Sequence, residues 1–201
     1  LKDIPTDTEI RFISFTDEEN GKNGSRAYTA ALTEEEKARM IGAIQLDILG
    51  ALGTSGTLVC TMDGEANWVS DLLQEKDPSL ERRAETASDH ASLQLSGVPS
   101  VLLMQDGQGY LYHSAADTAG QLDLYAIARA AETAVAAAEE ICSPDTGSYQ
   151  KLAREQGEGY TYRQTRQNVI YFGSSRADTE AYMGAAGELT DTYEISGNGW
   201  S

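Results

Sequence analysis

Acidic side chains and one histidine follow the apolar runs of this sequence, and their positions predict a metal site. The apolar run at residues 12–15 leads into the adjacent carboxylates Glu18 and Glu19 and then into an Asn-Gly turn. Asp47 follows a second apolar run, and His113 lies in the loop after a later one. Because open α/β sheets bind ligands at the carboxyl ends of their strands, we expect these side chains to meet at one edge of a sheet.

The paired glutamates suggest two different roles. Adjacent residues at the end of a strand point in opposite directions, so Glu18 and Glu19 cannot easily bind one ion together. One can bind a metal while the other faces a water on it, which is the arrangement of metal-assisted hydrolysis. Carboxylate and imidazole ligands without thiolates favour zinc, with manganese or cobalt as alternatives. Taken alone, the pair could equally be a solvated acidic turn in a chain with 32 acidic residues.

Composition and charge narrow the class of protein. The chain has 201 residues, 40% of them hydrophobic, and a formal net charge of -17. It can therefore bury one sizeable core, and its surface repels nucleic acid and anionic membranes. Since no apolar run is long enough to span a bilayer, we expect neither a nucleic-acid partner nor a membrane span. Cys60 and Cys142 lack metal-like spacing and are expected to be buried thiols, although a disulfide between them stays open.

The hydrophobic patterns predict an α/β fold, because apolar strand-like runs alternate with helical segments. The expected strands are residues 9–15, 40–46, 57–62 and 99–104. The longest helix is expected at about 121–141, and the polar segment 77–86 is expected to be a surface connection. Composition changes after residues 143–147, so we expect a main domain at 1–143, followed at 144–201 by a linker and a small α+β appendage that could belong to a second module.

Four ordered motifs resemble those of the co-catalytic di-zinc aminopeptidases, metallopeptidase family twenty-eight. Residues 15–28 contain a pattern similar to Glu-Glu-x-Gly-x-x-Gly-Ser-x-x-Tyr, and residues 45–50 resemble Asn-x-Asp-Met-x-Gly with Gln in place of the first Asn. Residues 88–90 and 97–99 resemble Ser-Asp-His and Gly-Ile-Pro elements, and residues 112–118 resemble Tyr-His-x-x-x-Asp-Thr. Each motif is weak alone, and their order makes the resemblance specific.

This resemblance implies a fold and a role for each matched residue. The implied fold is a three-layer sandwich with a mixed, mostly parallel sheet between helices, of which residues 1–143 would form the C-terminal part. Glu18 would be the general acid/base. Glu19 and His113 would bind one zinc ion, and Asp47 would bind the other. The residues expected beside the site, in structural or orienting roles, are Ser88, Asp89, His90 and Asp117.

The family's remaining histidine ligand and its bridging aspartate precede the Glu-Glu motif. This implies that a missing N-terminal segment of the same protein completes the site. Asp3 and Asp7 lie too close to the Glu-Glu motif to replace these ligands. Without the bridging carboxylate, two cations about 4 Å apart would lack their shared ligand. We therefore expect two zinc ions in the full-length protein and few or none in this chain alone.

Together these observations favour a secreted or cell-envelope metallo-aminopeptidase that removes N-terminal residues from peptide substrates, of which this chain alone would be inactive. Two alternatives stay open. One is a non-catalytic, peptidase-like binding domain, which the absence of the upstream ligands would favour. The other is an enzyme of the same fold that resembles carboxypeptidases or glutaminyl cyclases, which substrate profiling of the full-length protein would distinguish.

Overall fold

Helices and strands alternate along the chain in this computed structural model, which describes residues 6, 8–54, 56–107, 109–142 and 149. The helices are α1 (Asn23–Ala31), α2 (Glu34–Arg39), α3 (Trp68–Lys76), α4 (His90–Leu95) and α5 (Leu124–Ile141). The strands are β1 (Ala43–Leu46), β2 (Thr57–Thr61), β3 (Glu81–Ala84) and β4 (Ser100–Gln105). The appendage predicted at 144–201 lies outside the described residues, apart from Tyr149.

The four strands form one mixed sheet in the order β1-β4-β2-β3. β1 is parallel to β4 and β2 is parallel to β3, whereas β2 and β4 pair antiparallel. Helices flank this sheet, so the predicted α/β fold with a mixed, mostly parallel sheet is confirmed. Since β1 and β4 run in the same direction, the loops that follow them leave the sheet at one edge, where Asp47 and His113 are found.

Both faces of the central strand β4 are buried, as its continuous apolar sequence requires. Side chains alternate along a strand, so Val101 and Leu103 lie on one face with α3 and Ala137 of α5. Leu102 and Met104 lie on the other face, in a cluster that Ile48 of the loop after β1 joins. The core on this second face therefore reaches the loop that carries part of the candidate site.

Residues 9–15 form no strand in the structure, and the prediction of an interior strand there was wrong. Phe12, which that prediction buried, is 87% exposed. Alternating apolar residues favour an extended chain, but an interior strand also needs partners on both sides, which a local pattern cannot supply. The segment instead lines, together with β1 and α5, an apolar cavity of about 590 Å³.

The segment 77–86 was predicted to be a surface connection, and this was wrong for Glu81–Ala84, which pairs with β2 as the edge strand β3. Its arginines form ion pairs, Arg82 with Asp71 at 2.6 Å and Arg83 with Asp106 at 2.9 Å. Charged side chains on an edge strand prevent pairing with other chains, and the same charges conceal the strand from a hydrophobicity pattern.

Two further expectations concern membrane spans and cysteines. None of the described helices is long and apolar enough to cross a membrane. Cys60 and Cys142 are both free and buried, so they form no disulfide. Burial raises the pKa of the Cys60 thiol to about 11, which keeps it protonated and unreactive at neutral pH.

Candidate functional site

A tight turn before α1 presents the two adjacent glutamates. The carbonyl of Glu18 accepts a hydrogen bond from the Lys22 N–H at 2.7 Å, and the Thr16 carbonyl accepts one from the Gly24 N–H at 3.0 Å. A Cβ atom at Gly24 would lie 2.4 Å from the Thr16 carbonyl oxygen, so glycine is required for this close approach. The Asn-Gly and Gly-Ser elements of the sequence motif thus close the turn and fix where its carboxylates point.

Asp17, the third acid of this turn, forms its hydrogen bonds within the turn. Its backbone is left-handed, with φ of 56°. Its carboxylate accepts hydrogen bonds from the side-chain amides of Asn20 and Asn23, which lower the pKa of Asp17. This leaves Glu18 and Glu19 as the acids that the turn offers to its surroundings.

Glu19 and His113 meet although they are 94 positions apart. The Nε2 atom of His113 lies 2.8 Å from Oε1 of Glu19, and the two side chains are 54% and 66% exposed. The imidazole stacks on the ring of Tyr112, with ring centroids 3.8 Å apart. An imidazole nitrogen and a carboxylate oxygen in this proximity can act as two ligands of one zinc ion.

Asp47 follows β1, and both oxygens of its carboxylate are held. One accepts a hydrogen bond from the Ile48 N–H at 2.8 Å, and the other accepts one from the Ser88 hydroxyl at 2.7 Å. Ser88 is buried just before α4, so its hydroxyl has a fixed position. Ser88 therefore orients Asp47, in the way that hydrogen-bonding partners orient metal ligands.

Glu18 lies among these acids and is half-buried. Desolvation raises its pKa, and the negative charges of Glu19, Asp47 and Asp89 raise it further. Desolvation also raises the pKa of Tyr112, with further contributions from Glu19, Asp47 and Glu18. The charges of Glu19 and Asp47 thus act on both Glu18 and Tyr112, so these side chains share one electrostatic region at the end of β1 and β4.

Asp89 and His90 are buried beside this region. Burial raises the pKa of Asp89, and its Oδ1 atom has no hydrogen-bond partner among the described residues. His90 is fully buried, its Nε2 atom lies 2.8 Å from the Glu85 carbonyl oxygen, and burial lowers its pKa to about 4. A neutral, enclosed imidazole is suited to a structural role.

A cleft of about 260 Å³ lies next to the Glu19–His113 pair. Asp117 lines it at the surface, and aliphatic side chains form part of its wall. The lining residues are Glu19, Asp47, Ile48, Leu49, Ala51, Leu52, Gly109, Leu111, Tyr112, His113, Asp117, Gln121 and Leu122. The apolar part was not identified from the sequence, because a short run of aliphatic residues in a loop has no spacing that distinguishes it from core.

The nitrogen and oxygen donors of this region are of the types that zinc prefers, but they are too few to complete a zinc site. Zinc in catalytic sites takes three protein ligands, usually nitrogen and oxygen donors from histidine and carboxylates. Among the described residues, no three histidine, cysteine or acidic side chains are grouped so that they could hold one ion. Glu19 and His113 offer two donor groups of this chemistry, and the carboxylate of Asp47 is another.

Comparisons with known proteins agree on one family. The model of Peptidase family M28 matches residues 2–138. Aminopeptidase YwaD of Bacillus subtilis (strain 168) is 37% identical over 107 residues, which cover 50% of this chain and 24% of that protein.

Solved structures extend the similarity to the fold. An aminopeptidase from Aneurinibacillus sp. strain AM-1 is 34% identical with a TM-score of 0.64, and the match covers 69% of this chain and 34% of that one. BSAP, a zinc aminopeptidase from Bacillus subtilis, is 28% identical with a TM-score of 0.66, over 69% of this chain and 37% of that one. The chain thus spans between 24% and 37% of the length of these relatives.

Proposed function

The chain belongs to peptidase family M28, and from this premise we propose that it is part of a zinc-dependent aminopeptidase that removes N-terminal residues from peptides. The observation that carries the proposal is the 2.8 Å approach of His113 to Glu19 beside Asp47 and the half-buried Glu18. The imidazole of His113 and the carboxylates of Glu19 and Asp47 line one cleft, and Glu18 is the neighbour of Glu19 in the turn before α1. The similar proteins are named aminopeptidases, and one of them is named a zinc aminopeptidase.

Each of these side chains has a defined task in the proposal. Glu19 and His113 bind one zinc ion and Asp47 binds the other. When bound, zinc supplies Lewis-acid activation, which lowers the pKa of water to roughly 7 and polarises the peptide carbonyl. Glu18 accepts the proton of the attacking water and then donates it to the leaving amine, and its raised pKa favours holding that proton between the two transfers.

The remaining metal ligands belong, in this proposal, to residues of a longer protein that precede this chain. Three observations support it. The relatives are about three times as long as the part that matches this chain, and the described residues supply no group of three ligands. The open apolar cavity along β1 also offers a surface that further chain of the same domain could cover. A secreted or cell-envelope location stays a prediction.

Zinc content and hydrolysis of leucine p-nitroanilide, measured on this chain and on the full-length protein, test the proposal. We expect about two zinc ions and activity in the full-length protein, and little of either in the chain alone. Full activity of the chain alone would contradict the proposal that the metal ligands are shared between this chain and residues that precede it. A full-length protein without zinc and without activity would favour the alternative of a non-catalytic binding domain.

Replacing Ser88 with Ala is expected to weaken zinc binding at the Asp47 site by about tenfold to a hundredfold, because Asp47 loses the hydrogen bond that orients it. Chelator competition on the full-length protein measures this affinity. Ser96→Ala is the matched control, since the Ser96 hydroxyl bonds to the Leu93 carbonyl at the end of α4. Equal zinc affinity in the two variants would contradict the orienting role of Ser88.

A further inference from the structure

One buried glutamine holds both ends of a loop that forms a wall of the cleft. Gln105 is the last residue of β4 and is 4% exposed. Its backbone N–H donates to the Ile48 carbonyl at 3.1 Å. Its side-chain oxygen accepts a hydrogen bond from the Gly50 N–H at 2.7 Å, and its side-chain nitrogen donates to the Gly56 carbonyl at 3.0 Å.

The held segment, residues 48–52, is here called the cleft wall. Four of its five residues line the cleft, and the fifth, Gly50, is buried behind them. The Gly50 carbonyl accepts a hydrogen bond from the Asp123 N–H at 2.9 Å, and a Cβ atom at Gly50 would lie 2.7 Å from the Ile127 side chain. The cleft wall is therefore fixed between Gln105 on one side and the start of α5 on the other.

The chemistry of these contacts requires an amide. A primary amide accepts a hydrogen bond at its oxygen and donates two at its nitrogen, whereas an ionised carboxylate only accepts and a hydrocarbon does neither. Glutamate at position 105 would keep the bond from Gly50 but would face the Gly56 carbonyl without a proton to donate. Leucine would leave both backbone groups without a partner in a buried place, which is the costly outcome for a polar group.

We propose that Gln105 is a positioning residue of the peptidase site, which acts through the cleft wall to fix the surface that the side chain of the bound N-terminal residue contacts. This inference rests on the proposed function. Asp47 is held through its N–H to the Leu103 carbonyl at 3.2 Å, through Ser88 and through the Ile48 N–H. Ile48 is in turn held by the backbone N–H of Gln105, which a change of the Gln105 side chain leaves in place. Loss of the amide should therefore weaken substrate binding and leave the metal site and the proton transfer in place.

The test compares Gln105→Leu and Gln105→Glu in the full-length, zinc-loaded protein. We expect KM for leucine p-nitroanilide to rise about tenfold in Gln105→Leu and less in Gln105→Glu, with kcat and zinc affinity within about twofold of wild type. Hydrogen exchange of the backbone amides at 48–52 should accelerate by about tenfold in Gln105→Leu. Gln94→Leu is the control, because Gln94 is equally buried and its oxygen accepts the Met62 N–H at 3.2 Å, away from the cleft wall.

Each outcome decides the inference. Unchanged exchange at 48–52 in both Gln105 variants would overturn it, and so would the same acceleration in Gln94→Leu, which would indicate general loosening of the fold. If kcat and zinc affinity fell as much as KM rose, the inference would also be overturned, because Gln105 would then act on the metal site. If Gln105→Leu does not fold, Gln105→Glu decides, since it keeps the size and the acceptor. An inactive wild-type protein would refute the proposed function, and the exchange experiment would still decide whether Gln105 holds the wall.

Discussion

Replacing Glu18 with Gln in the full-length protein is expected to lower kcat for peptide hydrolysis by about a hundredfold to ten-thousandfold. The amide has nearly the same shape as the carboxylate but cannot accept the proton of the attacking water. Desolvation, with the charges of Glu19, Asp47 and Asp89, raises the pKa of Glu18, so this carboxyl holds a proton more readily than an isolated glutamate does. A carboxylate that only binds metal does not need a raised pKa.

Steady-state kinetics and zinc content together separate the roles of the two adjacent glutamates. Glu18→Gln should keep the zinc content of the wild type, whereas Glu19→Gln should lose zinc. Glu35→Gln is the control for loss of one negative charge, because Glu35 is exposed in the first turn of α2, outside the cleft. A Glu18→Gln protein with wild-type kcat would assign proton transfer to another group, and one that has lost zinc would make Glu18 a ligand.

The parts of the fold that the sequence predicts correctly are those that the core itself specifies. β1 and β2 lie within predicted apolar runs, and β4 overlaps one and ends one residue beyond it. Burial of both faces of β4 requires such a run. The predicted strand at 9–15 fails for a different reason: its pattern describes a chain that could be buried, and the described structure gives it no partner strand. β3 was missed because an edge strand needs little apolar surface and here carries charges.

The candidate site likewise has parts that the sequence predicts and parts that it does not. That Glu19 and His113 lie together was expected from strand ends and from the motif order, and the structure places them 2.8 Å apart. Their roles as metal ligands stay predictions, as does the role of Glu18. The cleft wall and Gln105 could not be found from the sequence, because a buried amide that bonds to loop backbone depends on where two distant segments meet.

Lowering the pH from about 6.5 to about 4 is expected to reduce the free energy of unfolding by about 3 kcal/mol through His90 alone. His90 is fully buried, and burial lowers its pKa from 6.5 to about 4. Across this window the unfolded chain binds a proton that the folded chain does not, so protonation favours unfolding. The stability contribution is complete above the unfolded pKa and is lost as the pH falls through the window.

The charged groups around His90 limit how much stability is lost on acidification. The Glu85 carbonyl and the charges of Glu85 and Asp47 favour the imidazolium, and Lys22 disfavours it, but burial is the largest influence. Asp89 acts in the opposite direction, since its raised pKa means that the folded chain binds its proton more tightly and gains stability as the pH falls. Asp89 therefore offsets part of the acid destabilisation that His90 causes.

Urea unfolding of the isolated chain between about pH 7 and about pH 4 measures this dependence, and substitution isolates the histidine. His90→Gln cannot titrate, so it should lose much of the acid slope, and any change in its stability at neutral pH measures the lost packing and the lost contact with the Glu85 carbonyl. His113→Gln should keep the slope, because His113 is 54% exposed and its replacement leaves the buried His90 in place. An acid slope that persists in His90→Gln would mean that carboxylates, rather than the buried imidazole, set the acid limit of this domain.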